Sequence, residues 1–281
     1  MKPLEPKTAA LASILRSAGQ VAVAYSGGVD SSLLVKFAAE TLGPQNVLAV
    51  IGESESLTQS SLDQAVAAAR AWGVTVRVVH TAEMDIEEFI SNPPNRCYYC
   101  KRELCRALQR EAEAFFGRVP LLADGNQADD AGDFRPGRRA ASEAGVRSPL
   151  AEAGFTKADV RALSQQLGIQ GSSRPAEACL ASRIPYGTAI TAELLAQIAA
   201  AEQVLRDAGF SGFRVRHHGT VARIEVPPAD IPRLAGMAAA LAPKIRAAGY
   251  TYVALDLDGY RTGSLNAVLA KEKVSSDRQV L

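Results

Sequence analysis

One heptapeptide constrains this chain more than any other stretch: Ser26-Gly27-Gly28-Val29-Asp30-Ser31-Ser32. It follows a short valine-containing apolar run, Gln20–Tyr25, and leads into a helical pattern that the periodicity predicts over 31–42. A strand, a glycine turn and a helix start in that order place unsatisfied N–H groups around a small anion, and the dipole of the helix favours a phosphate there. The two glycines keep side chains out of the cradle, while Ser26, Ser31 and Ser32 offer hydroxyl donors. Asp30 repels phosphate by charge and suits a Mg²⁺ ion that links carboxylate to phosphate. The stretch has neither the lysine nor the spacing of a Walker A loop, and it lacks the third glycine of a dinucleotide fingerprint. The plain alternative is a glycine turn capped by Ser or Asp.

Apolar runs recur at 46–51, 74–79 and 119–123, separated by helical patterns over 57–72 and 102–116. Such alternation predicts an α/β fold, a parallel sheet with helices on both faces. Ligands of these sheets bind beyond the carboxyl ends of the strands. Two further segments fall at that edge. Ile51-Gly52-Glu53-Ser54 offers backbone groups to an adenine, and Asp124–Asp130 brings Gly125, Asp129 and Asp130. The two aspartates also read as a solvated helix start. A helix is predicted over 157–167, then a loop over 175–186 rich in Pro, Arg and Ser. Beyond it the texture is α+β: a helix over 191–208, strands near 213–218 and 222–226, a helix over 232–248 and a strand over 252–257. The expected domains are therefore 1–186, a parallel-sheet nucleotide domain, and 187–281, a smaller α+β domain ending in a polar tail after Lys271.

Charge and cysteine usage narrow the classes. With 31 Lys+Arg against 30 Asp+Glu in 281 residues the formal net charge is +1, which argues against a dedicated nucleic-acid binder. No apolar run reaches the ~18 residues of a membrane span, and the N-terminal residues do not read as a signal peptide. Four cysteines are too few for a secreted disulfide framework. A cytoplasmic protein with reduced or metal-bound thiols is expected.

Cys97 and Cys100 form a C-x-x-C, and Cys179 stands apart, near Arg174 and Arg183 in the sequence. A C-x-x-C alone leaves zinc, an iron–sulfur cluster and a redox pair open. Three convergent thiolates suit a cluster with one iron left open, and four suit structural zinc. Cys105 lies on a predicted helix and reads as a small buried side chain. In Arg214-Val215-Arg216-His217-His218, strand alternation puts Arg214, Arg216 and His218 on one face. Two neighbouring guanidiniums form a fork for phosphate; the alternative is a solvated face paired with Glu225. His80 reads as structural.

The string SGGVDS resembles the PP-loop signature of ATP pyrophosphatases, which implies cleavage of ATP between the α and β phosphates. Together with NRCYYCK (95–101), DGNQADDAGDFRPG (124–137), RSPL (147–150), PAEACLASRIPYG (175–187) and RVRHHGTVARIE (214–225), it resembles the LarE family of ATP-dependent sulfur transferases, which serve synthesis of a nickel-pincer cofactor. DGNQADD differs slightly from the DGTNADD-like form associated with the family. The resemblance implies a pyridinium biscarboxylate mononucleotide substrate, whose carboxylates are adenylylated and then converted to thiocarboxylates. It implies ATP over Ser26–Ser32 with Gly125 and Asp129, Mg²⁺ at Asp30, substrate phosphate at Arg214 and Arg216, and Arg183 as a stabiliser of the displacement. It also implies a homo-oligomer. The family has two sulfur strategies. In one, a single cysteine, here Cys179, gives up its sulfur and becomes dehydroalanine. In the other, three cysteines, here Cys97, Cys100 and Cys179, hold a [4Fe-4S] cluster that carries a replaceable sulfide. The C-x-x-C favours the cluster. Rival readings are a PP-loop tRNA thiolase, which the charge balance opposes, an ammonia-dependent amide synthetase, which needs no cysteines, and a non-catalytic nucleotide-binding module.

Overall fold

The computed structural model describes residues 4–54, 57–132, 136–169, 179–261 and 263–266. The first four residues of the expected Pro/Arg/Ser-rich loop (175–178), Arg174 and the polar tail lie outside the described residues. The chain divides into two compact units, Met1–Glu177 and Ala178–Leu281. The sequence reading puts the division at Tyr186.

The first unit runs α1 (Leu4–Ala18), β1 (Val21–Ala24), α2 (Val29–Leu42), β2 (Val47–Glu53), α3 (Gln59–Ala71), β3 (Thr75–His80), α4 (Glu87–Ile90), α5 (Arg96–Phe116), β4 (Leu121–Asp124), α6 (Pro136–Glu143), α7 (Pro149–Glu152) and α8 (Lys157–Gln166). The four strands form one sheet in the order β3-β2-β1-β4, and every pairing is parallel. Period-2 alternation sends consecutive strand residues to opposite faces. Val21, Val23, Val47, Ala49 and Ile51 enter the core under α1, α2, α3 and α8, while Ala22, Ala24, Leu48 and Val50 pack under α5 and α6. Burial on both faces explains why these strands read as unbroken apolar runs. The chain leaves β1 for β2 and β3 on one side and returns to β4 on the other. The strand order therefore reverses at β1, and a crevice opens at the carboxyl ends of β1 and β4.

Two elements of this unit differ from expectation. Helix α1 was not predicted, yet Leu11 and Leu15, four apart, are fully buried against the sheet. Helix α5 starts at Arg96 rather than Arg102, so both cysteines of the C-x-x-C are helical. Pro93 and Pro94 end the preceding segment, and Arg96 reaches back to the Asn92 side chain at 2.9 Å. The Cys-Tyr-Tyr-Cys run has no apolar period to announce a helix. No described helix is long and apolar enough to cross a membrane.

The second unit holds a short 3-10 turn (Leu180–Arg183), α9 (Ala192–Asp207), β5 (Arg214–His218), β6 (Val221–Glu225), α10 (Ile231–Gly236), α11 (Ala238–Ala247) and β7 (Tyr252–Leu255). Its sheet is mixed: β5 and β6 are antiparallel, β6 and β7 parallel. The helix expected over 232–248 is two helices, because Gly236 ends the first and Met237 turns the chain into the second. Leu205, Val215, Ala222, Ile224 and Ile245 fill the core between sheet and helices.

Candidate functional site

Beyond the carboxyl ends of β1 and β4 lies a cavity of about 280 Å³, lined by Ser26, Gly28, Asp30, Ser31, Gly52, Lys101, Asp124, Gly125 and Asp130 among others. Its floor is the turn from β1 into α2. Gly28 stands at the N-cap of α2 and no side chain caps that end, so the first N–H groups of the helix have no helical partners, and Asp30 and Ser31 of that turn line the cavity.

The turn is built from inside. Ser31 Oγ donates to Gly28 O at 3.2 Å, accepts from the Ser26 N–H at 3.2 Å, and lies 3.1 Å from Ser26 Oγ. Ser32 Oγ donates to Tyr25 Oη at 3.4 Å, and burial raises the Tyr25 pKa. The two buried serines are thus engaged within the turn, and Ser26 remains exposed. Gly27 has φ +72°, and a Cβ there would meet Ala65 Cβ at 2.7 Å; both facts demand glycine. Gly27, Val29 and Ser32 shape the turn from behind and are not lining residues.

A second close approach comes from β4. A Cβ on Gly125 would stand 2.6 Å from Ser31 N and 2.9 Å from Ser31 Cα. These are backbone atoms in the first turn of α2 and cannot swing aside. Gly125→Ala is therefore expected to separate the β4 loop from α2, to cost about 1–3 kcal/mol, and to raise the KM for nucleotide on the order of tenfold. A thermal melt and a KM measurement check it; unchanged values for both would remove the close approach from the account.

The carboxylates around the cavity are occupied. Asp30 takes both oxygens to Lys157 Nζ, at 2.6 and 2.8 Å. This pair retains 27% and 30% exposure, a range in which an ion pair contributes about 0–1 kcal/mol. Asp129 accepts from the Lys157 N–H at 2.8 Å, and Asp130 from the Gln127 N–H at 3.1 Å. Asp124 is buried, accepts from the Ser148 hydroxyl at 2.7 Å, and lies 3.6 Å from Lys101 Nζ. Sequence reasoning missed Lys101 and Lys157 as site residues, and placed Asp124 at this edge only as part of the segment 124–130. Lys101 follows Cys100 directly, which was the available signal.

Cys97 and Cys100 lie three residues apart in the first turns of α5, so their side chains are neighbours on the helix surface. Cys97 is exposed and Cys100 half-buried. Lys101 and Leu104, farther along the same helix, line the cavity. Glu83 is buried; its Oε1 lies 4.0 Å from Cys100 Sγ and its Oε2 has no partner. Cys105 is 1% exposed, and burial raises its pKa. Among the described residues, no three His, Cys, Asp or Glu side chains gather closely enough to hold a metal ion.

Cys179 belongs to the second unit and is exposed. It sits at the start of the 3-10 turn, and its carbonyl accepts from Arg183 Nη1 at 3.2 Å. Arg183 is buried and bonds Glu202 through Nε at 2.7 Å and Nη2 at 3.1 Å. Glu202 also accepts from the Val215 N–H at 3.1 Å. Arg216 is likewise buried. Its Nε and Nη2 bond Glu225 at 3.0 and 2.9 Å, its Nη1 bonds the Ser182 carbonyl, and Nη2 also reaches Ser264 Oγ. Arg214 is buried, lies over the Tyr260 ring at 5.0 Å, and has its pKa lowered first by burial and then by Arg183. The Arg214/Arg216 face of β5 is therefore a buried ionic network rather than a solvated strand face, and Glu225 lies inside it.

Comparison with known proteins adds an independent line. A family model described as NAD synthase matches residues 8–97. The pyridinium-3,5-bisthiocarboxylic acid mononucleotide synthase of Lactiplantibacillus plantarum is 39% identical over 98% of this chain and 99% of its own length. An uncharacterised protein of Synechocystis sp. is 42% identical over 95% of this chain and its whole length. An uncharacterised protein of Methanocaldococcus jannaschii is 29% identical over 86% of this chain and 91% of its own.

Proposed function

This chain belongs to the LarE family of PP-loop proteins, and from that premise we propose that it is an ATP-dependent sulfur transferase acting on the carboxylates of pyridinium-3,5-biscarboxylic acid mononucleotide. The observation that carries the reading is the cavity at the β1–α2 turn, where an uncapped helix start, two glycines and Gly125 leave room for a phosphate chain. Residues 1–186 are assigned the nucleotide chemistry and 187–281 the remainder of the substrate.

ATP lies with its phosphates over the start of α2, and Ile51 and Gly52 line the cavity at the end of β2, where adenine is assigned. A substrate carboxylate oxygen attacks the α-phosphorus, the bond from that phosphorus to the bridging oxygen breaks, and pyrophosphate leaves with the electron pair. Helix N–H groups and Lys101, which lines the cavity, stabilise the charge on the phosphate oxygens. Asp30 is a half-buried oxygen donor at the cradle, the hard ligand type that Mg²⁺ takes. When bound, Mg²⁺ supplies neutralisation of the phosphate charge. The acyl adenylate then loses AMP to a sulfur nucleophile.

Cys97, Cys100 and Cys179 are assigned to hold a [4Fe-4S] cluster. The donor set supports this: three thiols that are not buried in the apolar core, two of them one helical turn apart. A cluster held by these three thiolates would supply a replaceable sulfide at an iron that no protein side chain takes. Arg183 fixes the backbone at Cys179; the mononucleotide phosphate is assigned to Arg214 and Arg216, and to meet it Arg216 exchanges its Glu225 carboxylate for phosphate oxygens. The second reading keeps the same adenylation and makes the Cys179 thiolate itself the donor; the exposure of Cys179 favours it equally.

The test is anaerobic purification followed by iron and sulfide analysis, with AMP, pyrophosphate and thiocarboxylate measured in one turnover assay. AMP and pyrophosphate in equal amounts, with thiocarboxylate formed and iron bound, is the expected result. Absence of iron after reconstitution overturns the cluster and leaves the sacrificial route. Absence of pyrophosphate overturns the enzymatic reading.

A further inference from the structure

We propose that Arg223 is a positioning residue for the phosphate end of the substrate: it keeps Glu225 neutralised when Arg216 leaves that carboxylate for phosphate oxygens. The inference deepens the assignment of the mononucleotide phosphate to Arg214 and Arg216 and rests on it.

The register of the second sheet is the first argument. Strands β5 and β6 are antiparallel, and Arg216 stands directly opposite Arg223. Like charges in that position repel. Glu225 lies two residues farther along β6, on the same face, and it gives one oxygen to each cation. Its Oε2 accepts from Arg216 Nε and Nη2, at 3.0 and 2.9 Å. Its Oε1 lies 3.2 Å from Arg223 Nη2 and accepts from Ser264 Oγ at 3.4 Å. One guanidinium can therefore leave while the other keeps its own oxygen.

The cost of that departure is the second. Glu225 is fully buried. A buried carboxylate stripped of its counter-charge is strongly unfavourable, and here it would also face the roughly two negative charges of a phosphate monoester. Arg216 exchanges partners at low cost only when a second cation stays on Glu225.

Arg223 is held so as to stay. Its Nε donates to His218 Nε2 at 3.1 Å, and its Nη1 bonds Asp256, just past β7. With Nη2 on Glu225, all three nitrogens of the guanidinium are engaged, by groups from β5, β6 and the end of β7. A planar fork meets three such partners at once. The side chain is 33% exposed, so solvent and salt screen its own pull on the phosphate, and its effect passes through Glu225.

The experiment uses the full chain and calorimetric binding of two probes. Nicotinamide mononucleotide is a pyridinium carrying the ribose phosphate, and nicotinamide riboside lacks that phosphate. A melting temperature is recorded for each variant. Arg223→Gln is expected to weaken the mononucleotide about 10-fold and leave the riboside within about twofold. Arg223→Lys should recover part of the loss. In a Glu225→Gln background no carboxylate needs neutralising, so Arg223→Gln should there cost the mononucleotide less than about twofold, a coupling read from the double-mutant cycle. Equal losses for both probes mark a structural role and overturn the proposal. A loss of the same size in the Glu225→Gln background overturns it as well, because Arg223 then acts on the phosphate directly. Unchanged mononucleotide binding in Arg223→Gln, or a lysine variant no better than the glutamine one, overturns it too, and these two arms decide even where Glu225→Gln fails to fold. Arg216→Gln tests the underlying assignment. Without a phosphate-specific loss in that variant the assignment falls and the proposal with it; with one there and none in Arg223→Gln, the proposal falls alone.

Discussion

Cys179→Ala is expected to split the reaction in two: AMP and pyrophosphate still form, and thiocarboxylate formation falls by at least about 10³-fold, the order of loss when a reacting group is removed. The substitution is mild for the fold. Cys179 is exposed, its side chain caps nothing, and only its main-chain carbonyl meets Arg183, so the change in stability is about 0.5 kcal/mol or less. The measurement is product analysis by mass spectrometry beside a pyrophosphate assay. Cys97→Ala and Cys100→Ala sharpen it. With a cluster, each should lose bound iron and most of the sulfur transfer. With Cys179 as sacrificial donor, both should stay active, and the unmodified chain should lose ~34 Da as its cysteine becomes dehydroalanine. Full thiocarboxylate formation by Cys179→Ala would sink both routes.

The second large effect belongs to the buried network of the second unit. Glu225 is fully buried and bonds both Arg216, at 2.9 Å, and Arg223, at 3.2 Å. Glu225→Ala leaves the Arg216 guanidinium buried with its main counter-charge removed. Breaking a buried pair in this way costs about 3–5 kcal/mol. At roughly 4–8 °C per kcal/mol for a domain near 100 residues, the melting temperature of this unit should fall by more than ~10 °C. Differential scanning calorimetry on the full chain measures it. A fall of only a degree or two would mean that water or another carboxylate reaches Arg216. The double replacement Arg216→Met with Glu225→Leu should recover much of the loss, since it removes both desolvation penalties together. Recovery of stability without sulfur transfer would separate the structural part of this network from its chemical part.

Sequence carried the first unit well, and the reason is physical. Strands buried on both faces are apolar throughout, and helices between them keep a regular period, so β1, β2 and β4 stand out by composition alone. The β1–α2 turn was legible because its glycines are required by geometry: one by positive φ, and Gly125 across from it by a backbone contact. Charge pairing was not legible. Asp30 and Lys157 are 127 positions apart, and nothing local links them. The burial of Arg214 and Arg216 escaped for the same reason. Alternation sets the face on which they project, but Glu202 on α9 and Glu225 on β6 make that face tolerable inside the protein. The start of α5 was hidden because a helix opening on Cys-Tyr-Tyr-Cys presents no amphipathic stripe.

The hydroxyl stitching of the β1–α2 turn has a thermodynamic corollary. A floppy loop that closed only around its ligand would surrender about 1–2 kcal/mol of backbone freedom per residue at that moment. Here Ser26 and Ser31 have already locked the turn, so that surrender happens once, as the chain folds. The arriving triphosphate meets a rigid mould, and the free energy of its capture is left to dehydration and charge.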